Sequence, residues 1–571
     1  MRILFLTHTF NSLAQRLFVE LTERGHQVSI EYDINDAVAT EAVALFEPEL
    51  IIAPFLKRAI PDAIWSRTPC IVLHPGIIGD RGPSALDWAI MNDETEWGVT
   101  ALQANAEMDA GDIWASSLFP MRAARKSSIY RNEITDAAVM AVLNSLDRFQ
   151  AGDFRPTPLD YSNSAVRGQL RAAMHQSDRA IDWTKNTTET VLRKIRAADS
   201  IPGVLDQLGD ESYYLFNATA DGSFHGRAGD LLAQRDGAVC RATTDGAVWI
   251  SHLRPQAGPL AGLKLPATVA LGDAAGDLRD DPIGLMDTDG RDTLQEIGYH
   301  EEDGVGYLRF AFYNGAMGTE QCQRLLAAYR QVRRRDVRII ALTGGPDFWS
   351  NGIHLNLIEH SLSPADESWR NINAMNDLAR EIITTDDKLT VAALQGNAGA
   401  GGVFLALATD RVLARRGVIL NPHYKGMGNL YGSEYWTYTL PRRAKTPEAL
   451  QITDNRLPLG TTQATAMGLV DEVIDARGDE YTTELKRALA RMAQAPELGQ
   501  LLQTKQAQRH ADEQIKPLER YREEELKRMQ LNFYGFDPSY HVARYNFVHR
   551  RPHSWTPLHL ALHRRRVASA A

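Results

Sequence analysis

CIVLHPGIIGDRGPSALDWAI, residues 70–90, is the stretch on which the fold turns. Its first four residues are apolar enough for a strand buried on both faces. The run ends at His74 and Pro75, where a glycine-spaced loop carries the chain into SALDWAI. Toward the N-terminus the same alternation recurs: RILFLTH, a helix through LAQRLFVELTERG with Asn11 and Ser12 as cap candidates, then VSIEYD and ELIIAPF. Apolar strands separated by helix-length stretches predict a doubly wound parallel sheet, whose ligands bind beyond the carboxyl ends of the strands. His74 stands at such an end. No GxGxxG follows the first strand, so a dinucleotide site is not supported.

From about residue 180 the texture changes. IDWTKNTTETVLRKIRAADSIPG reads as one helix stopped by Pro202 and Gly203, and SYYLFNA, AVCRATT and AVWISHLRP follow as short strands, which predicts a small β-barrel. Residues 271–292, rich in Gly and Asp, form the best linker candidate. Beyond them VGYLRFAFY, VRIIALTGG and LTVAALQG read as strands, with helices from Thr319 to Arg334 and from Ser368 to Thr385, a second α/β system. The last stretch is helical and charged, and no internal repeat is present.

At 571 residues the chain exceeds what one hydrophobic core supports, since single cores stop growing near ~250 to 300 residues. Several domains, and so two active sites, are expected. Hydrophobic residues at 44% and charged residues at 23% exclude a largely disordered chain. Cys70, Cys240 and Cys322 are far apart and form no CxxC, which argues against a disulfide framework or a zinc site and fits a reducing cytoplasm. MRILFLTHTF reads as a first strand rather than a leader, and no apolar run approaches the ~20 residues of a membrane span. Net charge is −10, yet residues 501–571 carry 13 Lys/Arg against 7 Asp/Glu. RYREEELKRM and HRRRVASAA are read as solvated faces, although a basic tail could also meet phosphates.

HPGIIGDRGPSALDWAI is followed by GVTALQANAEMDAGDIW, so that Asp109 falls in a loop after a strand. This spacing resembles the N10-formyltetrahydrofolate-dependent formyltransferases, and the likeness continues through IDW and IRAADSIPG to about residue 270. The resemblance implies a formyltransferase catalytic domain over 1–165 and an OB-like domain over 166–270. It also implies N10-formyltetrahydrofolate as formyl donor and a folate pocket involving Gly76, Arg81 and Gly82. The chemistry suits the residues. Formyl transfer needs a proton delivered to the departing nitrogen and another removed from the nucleophile, tasks for a histidine of neutral pKa. His74 is the candidate, with Asp109 orienting the imidazole and stabilising its protonated form. One position departs from the family: the Asn expected two residues before the histidine is Val72. Losing an oxyanion donor costs ~3 to 4 kcal/mol, so either a backbone N–H substitutes or the acceptor needs less help, and a thiol, which ionises more readily than hydroxyls or amines, fits the second case.

DFWSNGIHL, QGNAGAGGVFLALATD and AMGLVDEVI resemble the crotonase (enoyl-CoA hydratase/isomerase) superfamily, from about Glu296 to Asp475 within a 293–571 domain. The resemblance implies a spiral α/β fold, an acyl-CoA ligand, and a thioester carbonyl gripped by the backbone N–H groups of Ile353 and Gly401. Glycine at 401 allows close approach, and the helix it opens favours developing negative charge. The two glutamates with which hydratases hold water are replaced by Phe404 and His423, so water addition to an enoyl group is not expected. NPHYKGMGNLYGSEYWTY offers Tyr424 as acid and Glu434 as base, on a loop whose glycines let it fold back. Aromatic neighbours would raise the pKa of Glu434 by desolvation.

The fused arrangement resembles a family of [NiFe]-hydrogenase maturation factors. This resemblance implies that formyl passes from the folate to coenzyme A near His74, and that formyl-CoA travels through an internal passage and is split at the second site into CO and CoA. Hydrogenase maturation proteins are then the expected partners, with no nucleic acid, no membrane and no metal. The pair His559 and His563 is read as surface. The alternative is a transferase formylating an amine metabolite, fused to a non-catalytic CoA-binding or docking module.

Overall fold

The computed structural model describes residues 1–287 and 293–568. They form two compact units. One comprises Met1–Leu232, Val239–Gln256 and the tail from Pro552, the other Ala233–Ala238 and the described part of Ala257–Arg551. Of the expected linker, Asp273–Gly276 is a helical turn and Asp281 pairs with Arg235, while 288–292 lie outside the described residues.

The first unit is built on β1 (Arg2–Thr7), β2 (Gln27–Tyr32), β3 (Leu50–Ala53), β4 (Cys70–His74), β5 (Glu96–Gln103) and β6 (Ile113–Pro120), in the order β2-β1-β3-β4-β5-β6. β1 to β4 run parallel, as their buried apolar runs predict. β5 runs antiparallel to β4, and β6 runs antiparallel to β5 because the short loop between them closes a hairpin and leaves no crossover for a parallel return. That hairpin sets Thr100 opposite His74 and carries Asp109 on its loop. Asn11 caps the first helix by accepting the Ala14 N–H at 3.0 Å.

The helix read from 181 starts later, at Thr188, and runs to Ala198. The Asp182 carboxylate accepts from the N–H and hydroxyl of Thr184 at 3.1 and 2.7 Å, a local turn that competes with helix, and Thr187 then supplies the cap. The strands that follow form an antiparallel sheet in which Glu211–Asp221 pairs with Val204–Leu208 and Ala247–Pro255.

Among the described residues of the C-terminal tail, Thr556 and His563 are not the solvated positions its charge suggested. Thr556 and His563 are buried in the first unit, where His563 lies with Nδ1 2.7 Å from Ser29 Oγ and Nε2 2.9 Å from Glu31 Oε2. Arg564 adds an ion pair to Glu31 at 2.7 Å. The surface role expected for His563 is thus corrected: Glu31, buried on β2, needs partners, and the tail provides them. His563→Ala should lower the unfolding free energy of this unit by roughly 1 to 3 kcal/mol, the cost of stranding buried polar groups, as read from urea denaturation.

In the second unit six strands run in the order Ile297–Glu302, Val305–Phe310, Ile339–Thr343, Leu389–Leu394, Arg411–Arg415 and Glu472–Ile474. The first pair is antiparallel and the rest parallel. A separate layer of three short parallel strands, Phe348–Ser350, Asn397–Gly399 and Leu420–Asn421, lies in chain order just after strands of the main sheet. Pairing of Ser350 with Ala398 ends two of these strands side by side, so the turns that follow meet. Among the described residues no helix is long and apolar enough to cross a membrane.

Candidate active sites

His74 ends β4, and its ring is held from both sides. Nε2 lies 3.0 Å from Asp80 Oδ1, and Nδ1 lies 3.5 Å from Asp109 Oδ2. Asp80 is fixed in turn by Arg171 Nε at 2.9 Å, and Asp109 accepts the Gly82 N–H at 3.3 Å. Burial alone would discharge the imidazole, but the two carboxylates outweigh it and push its pKa up to about 9. Burial likewise opposes charge on Asp109, and the imidazolium beside it still holds its carboxyl below the usual range.

The folate-pocket candidates gather on the same loop. A Cβ at Gly76 would lie 2.5 Å from His74 Nε2 and 2.8 Å from Asp80 Oδ1, and one at Gly82, which has φ of +112°, would lie 2.3 Å from the Arg171 carbonyl oxygen. Arg81 is ion-paired with Glu107. Val72, half-buried on β4 between Ala53 and Leu102, places no polar side chain where the family has its amide.

In the second unit Gly401 opens the helix Gly401–Leu407, and a Cβ at Gly352 would come 3.2 Å from the Gly401 nitrogen. The backbone entering Ile353 thus lies against Gly401, and neither the Ile353 nor the Gly401 N–H donates to a protein acceptor among the described residues. Facing them is Glu434, only 1% exposed, whose Oε1 lies so near Gly401 that a Cβ there would be 2.3 Å away. Tyr424 donates its hydroxyl to Glu434 Oε2 at 2.5 Å, and Phe404 stacks on the Tyr424 ring with centroids 5.3 Å apart. Phe404 therefore replaces a water-holding acid with a wall. Burial pushes the Glu434 carboxyl up to about 7, and burial together with that carboxyl holds the Tyr424 hydroxyl well above its ordinary value.

Glu434 is not a first-turn helix acid. The helix begins at Trp436, and both Glu434 and Tyr435 adopt left-handed backbone, with φ of 62° and 59°. That turn aims the carboxylate inward. His423, at the second replaced position, is half-buried on the same loop as Tyr424.

Four residues that complete these sites escaped the sequence reading. Asp80 stands six residues after His74 in the same loop as Gly76 and Gly82. Arg171 gave no local signal. Asn376 accepts the Glu434 N–H at 2.8 Å from the helix Pro364–Ile383. Glu525, 0% exposed, sits in the charged run read as solvated, but Glu525, Met529 and Phe533 recur every fourth residue and are all buried, a stripe that marks an inward face.

The formyl transferase family matches residues 1–146, its C-terminal domain family residues 173–264, and the enoyl-CoA hydratase/isomerase family residues 302–557. A formyltransferase joined to a crotonase-like domain is the class that fold and site define. The hydrogenase maturation factor HoxX of Bradyrhizobium diazoefficiens is 53% identical over 571 residues, spanning 100% of this chain and 98% of that one. The crystal structure of HypX from Aquifex aeolicus in complex with tetrahydrofolic acid aligns with a TM-score of 0.95 at 50% identity, over 99% of both chains. A methionyl-tRNA formyltransferase of Streptococcus equi subsp. equi is 27% identical over 207 residues, 36% of this chain and 63% of its own. The chain belongs to the HypX/HoxX family of hydrogenase maturation factors.

Proposed function

We propose that the chain makes carbon monoxide from a folate-borne formyl group, in two reactions at two sites. At the first, formyl passes from N10-formyltetrahydrofolate to the thiol of coenzyme A. The Aquifex relative crystallised with tetrahydrofolic acid supports a folate ligand, and the glycines at 76 and 82 let His74, Asp80 and Arg171 close up around the loop that would meet it. With a pKa near 9 the His74 ring rests as imidazolium, so it is an acid before it is a base. It protonates the departing folate nitrogen and is recharged by the proton the thiol gives up. Asp80 and Asp109 keep it oriented and charged. A nucleophile that reaches its anion readily needs less help at the oxyanion, which is consistent with Val72.

At the second site the unaccepted amides of Ile353 and Gly401 fit a thioester oxygen. The observation that carries the proposal is the position of Glu434 against Gly401, bonded to Tyr424. A carboxylate there leaves no place for an acyl chain and puts a base beside the one hydrogen of a formyl group. Glu434 takes the formyl proton, the C–S electron pair leaves with sulfur, and sulfur takes the hydroxyl proton of Tyr424. CO and CoA depart, and the proton on Glu434 returns to Tyr424 across their hydrogen bond. The CO then serves hydrogenase assembly through maturation partners in the cytoplasm.

The test is to supply formyl-CoA to the purified protein and follow CO by haem absorbance; coenzyme A must appear in equal amount, and absence of CO would remove the second reaction. The two steps should also have opposite pH limbs. Formyl transfer needs protonated His74 and is expected to fall as pH rises through about 9, while CO release needs ionised Glu434 and rises as pH passes about 7. Measuring each step separately across pH 5 to 10 at roughly half-unit intervals checks both signs.

A further inference from the structure

The helix Leu518–Tyr534 reaches the second site through one buried carboxylate. Glu525 accepts from four donors: Ser433 Oγ at 3.1 Å, the Tyr435 N–H at 3.0 Å, the Thr437 N–H at 2.9 Å and Thr437 Oγ1 at 2.6 Å. All four flank Glu434. The turn they hold contains two consecutive left-handed residues, a conformation that persists only where its surroundings impose it. From the other side the Glu434 N–H is held by Asn376, and the two helices are tied together by Arg522, which reaches Asp377 at 2.6 Å and Asn373 at 2.9 Å.

We propose that Glu525 is a positioning residue of the second site, latching the Ser433–Thr437 turn so that Glu434 is presented to Gly401 and Tyr424. This rests on the reading of Glu434 as the base. The titratable groups that face Glu434 are Tyr424 on its own loop, Cys322 on the helix Thr319–Arg333, and Glu525. Burial pushes both glutamates up to about 7, and the Glu525 charge adds to the rise at Glu434. Glu525 therefore acts on Glu434 by geometry and by field, and the two are separable. Gln at 525 keeps the volume and one acceptor oxygen but removes the charge, whereas Ala removes the latch altogether.

The full-length protein, Glu525→Gln and Glu525→Ala are compared in two assays. The first follows CO release from supplied formyl-CoA across pH, and the second follows titration of the Glu434 carboxyl by infrared difference spectroscopy, with the Glu434 band assigned by its loss in Glu434→Gln. Glu525→Ala should lower kcat for CO release by about 100-fold with little change in KM, the scale expected when a reacting group is misplaced by an ångström. Glu525→Gln, whose NH2 must face either the Tyr435 or the Thr437 N–H, should recover part of that rate and move both the acid limb and the Glu434 titration to lower pH. Formyl transfer at His74 should stay at the wild-type rate in both. An unchanged kcat and an unmoved titration in Glu525→Gln would overturn the proposal, as would a Gln variant as slow as Ala with the titration in place. If Glu525→Ala fails to fold, the Gln variant decides. If the wild-type protein releases no CO from formyl-CoA, the reading of Glu434 as base is what fails. The titration alone then judges the latch: a shift in Glu525→Gln upholds it and no shift overturns it.

Discussion

Glu434→Gln is expected to stop CO release while formyl transfer to coenzyme A proceeds at its wild-type rate. The amide has the volume of the carboxylate and can still accept from Tyr424, so the wall around Gly401 stays closed. What is lost is the pair of electrons that takes the formyl proton. A positioned general base is worth ~10²- to 10⁴-fold, so CO production should drop by that range and formyl-CoA should accumulate. Hydroxylamine traps the accumulated thioester as formyl hydroxamate, which can be counted against the CO not formed. CO appearing at the normal rate from this variant would remove Glu434 from the chemistry.

His74→Ala has the complementary signature. With formyltetrahydrofolate and coenzyme A as substrates, both formyl transfer and CO should fall by ~10²- to 10⁴-fold, because the proton donor to the folate nitrogen is gone. With formyl-CoA supplied, CO should return to the wild-type rate, which also reports that the second unit is folded. The variant brings a structural cost in the first unit. Asp80 and Asp109 lose the ring that lies between them, so Asp80 is left with Arg171 and Asp109 with the Gly82 N–H, and the vacated space strands buried acceptors. His74→Gln, which keeps a polar group between the carboxylates, separates that cost from the loss of the acid: it should recover stability without recovering transfer. Transfer at the wild-type rate in either variant would contradict the assignment.

Much of this arrangement is legible in the sequence because it depends on short-range features. His74 declares itself by standing at the end of an apolar strand, and Gly401 by opening a helix where a side chain would collide with Glu434. Tyr424 and Glu434 stand out as a candidate acid and base on a glycine-spaced loop, and the loop folds back so that the two side chains meet at 2.5 Å. Apart from Asp80, six residues from His74, the missed residues have partners that are distant in the chain. Arg171 meets Asp80 from 91 residues away, and Glu525 meets Ser433 from 92. His563 meets Glu31 across 532 residues. Charge patterning cannot reveal such pairs, since a Glu in a charged run and a Glu bound by four donors look alike until the run's buried stripe is counted. The late start of the helix at Thr188 has a local cause instead, the Asp182 turn outcompeting a helix that hydrophobic periodicity alone would extend.

The central claim, that one chain converts a folate-borne formyl group into CO by way of a thioester, is tested most directly by isotope. Formyltetrahydrofolate labelled with ¹³C in the formyl group is mixed under anaerobic conditions with the purified protein, deoxymyoglobin and a substoichiometric amount of coenzyme A. ¹³CO should bind the haem in amounts exceeding the coenzyme A present, since each thiol is released to accept again, and none should form when coenzyme A is omitted. Labelled formate in place of labelled CO, or CO formed equally well without coenzyme A, would contradict it.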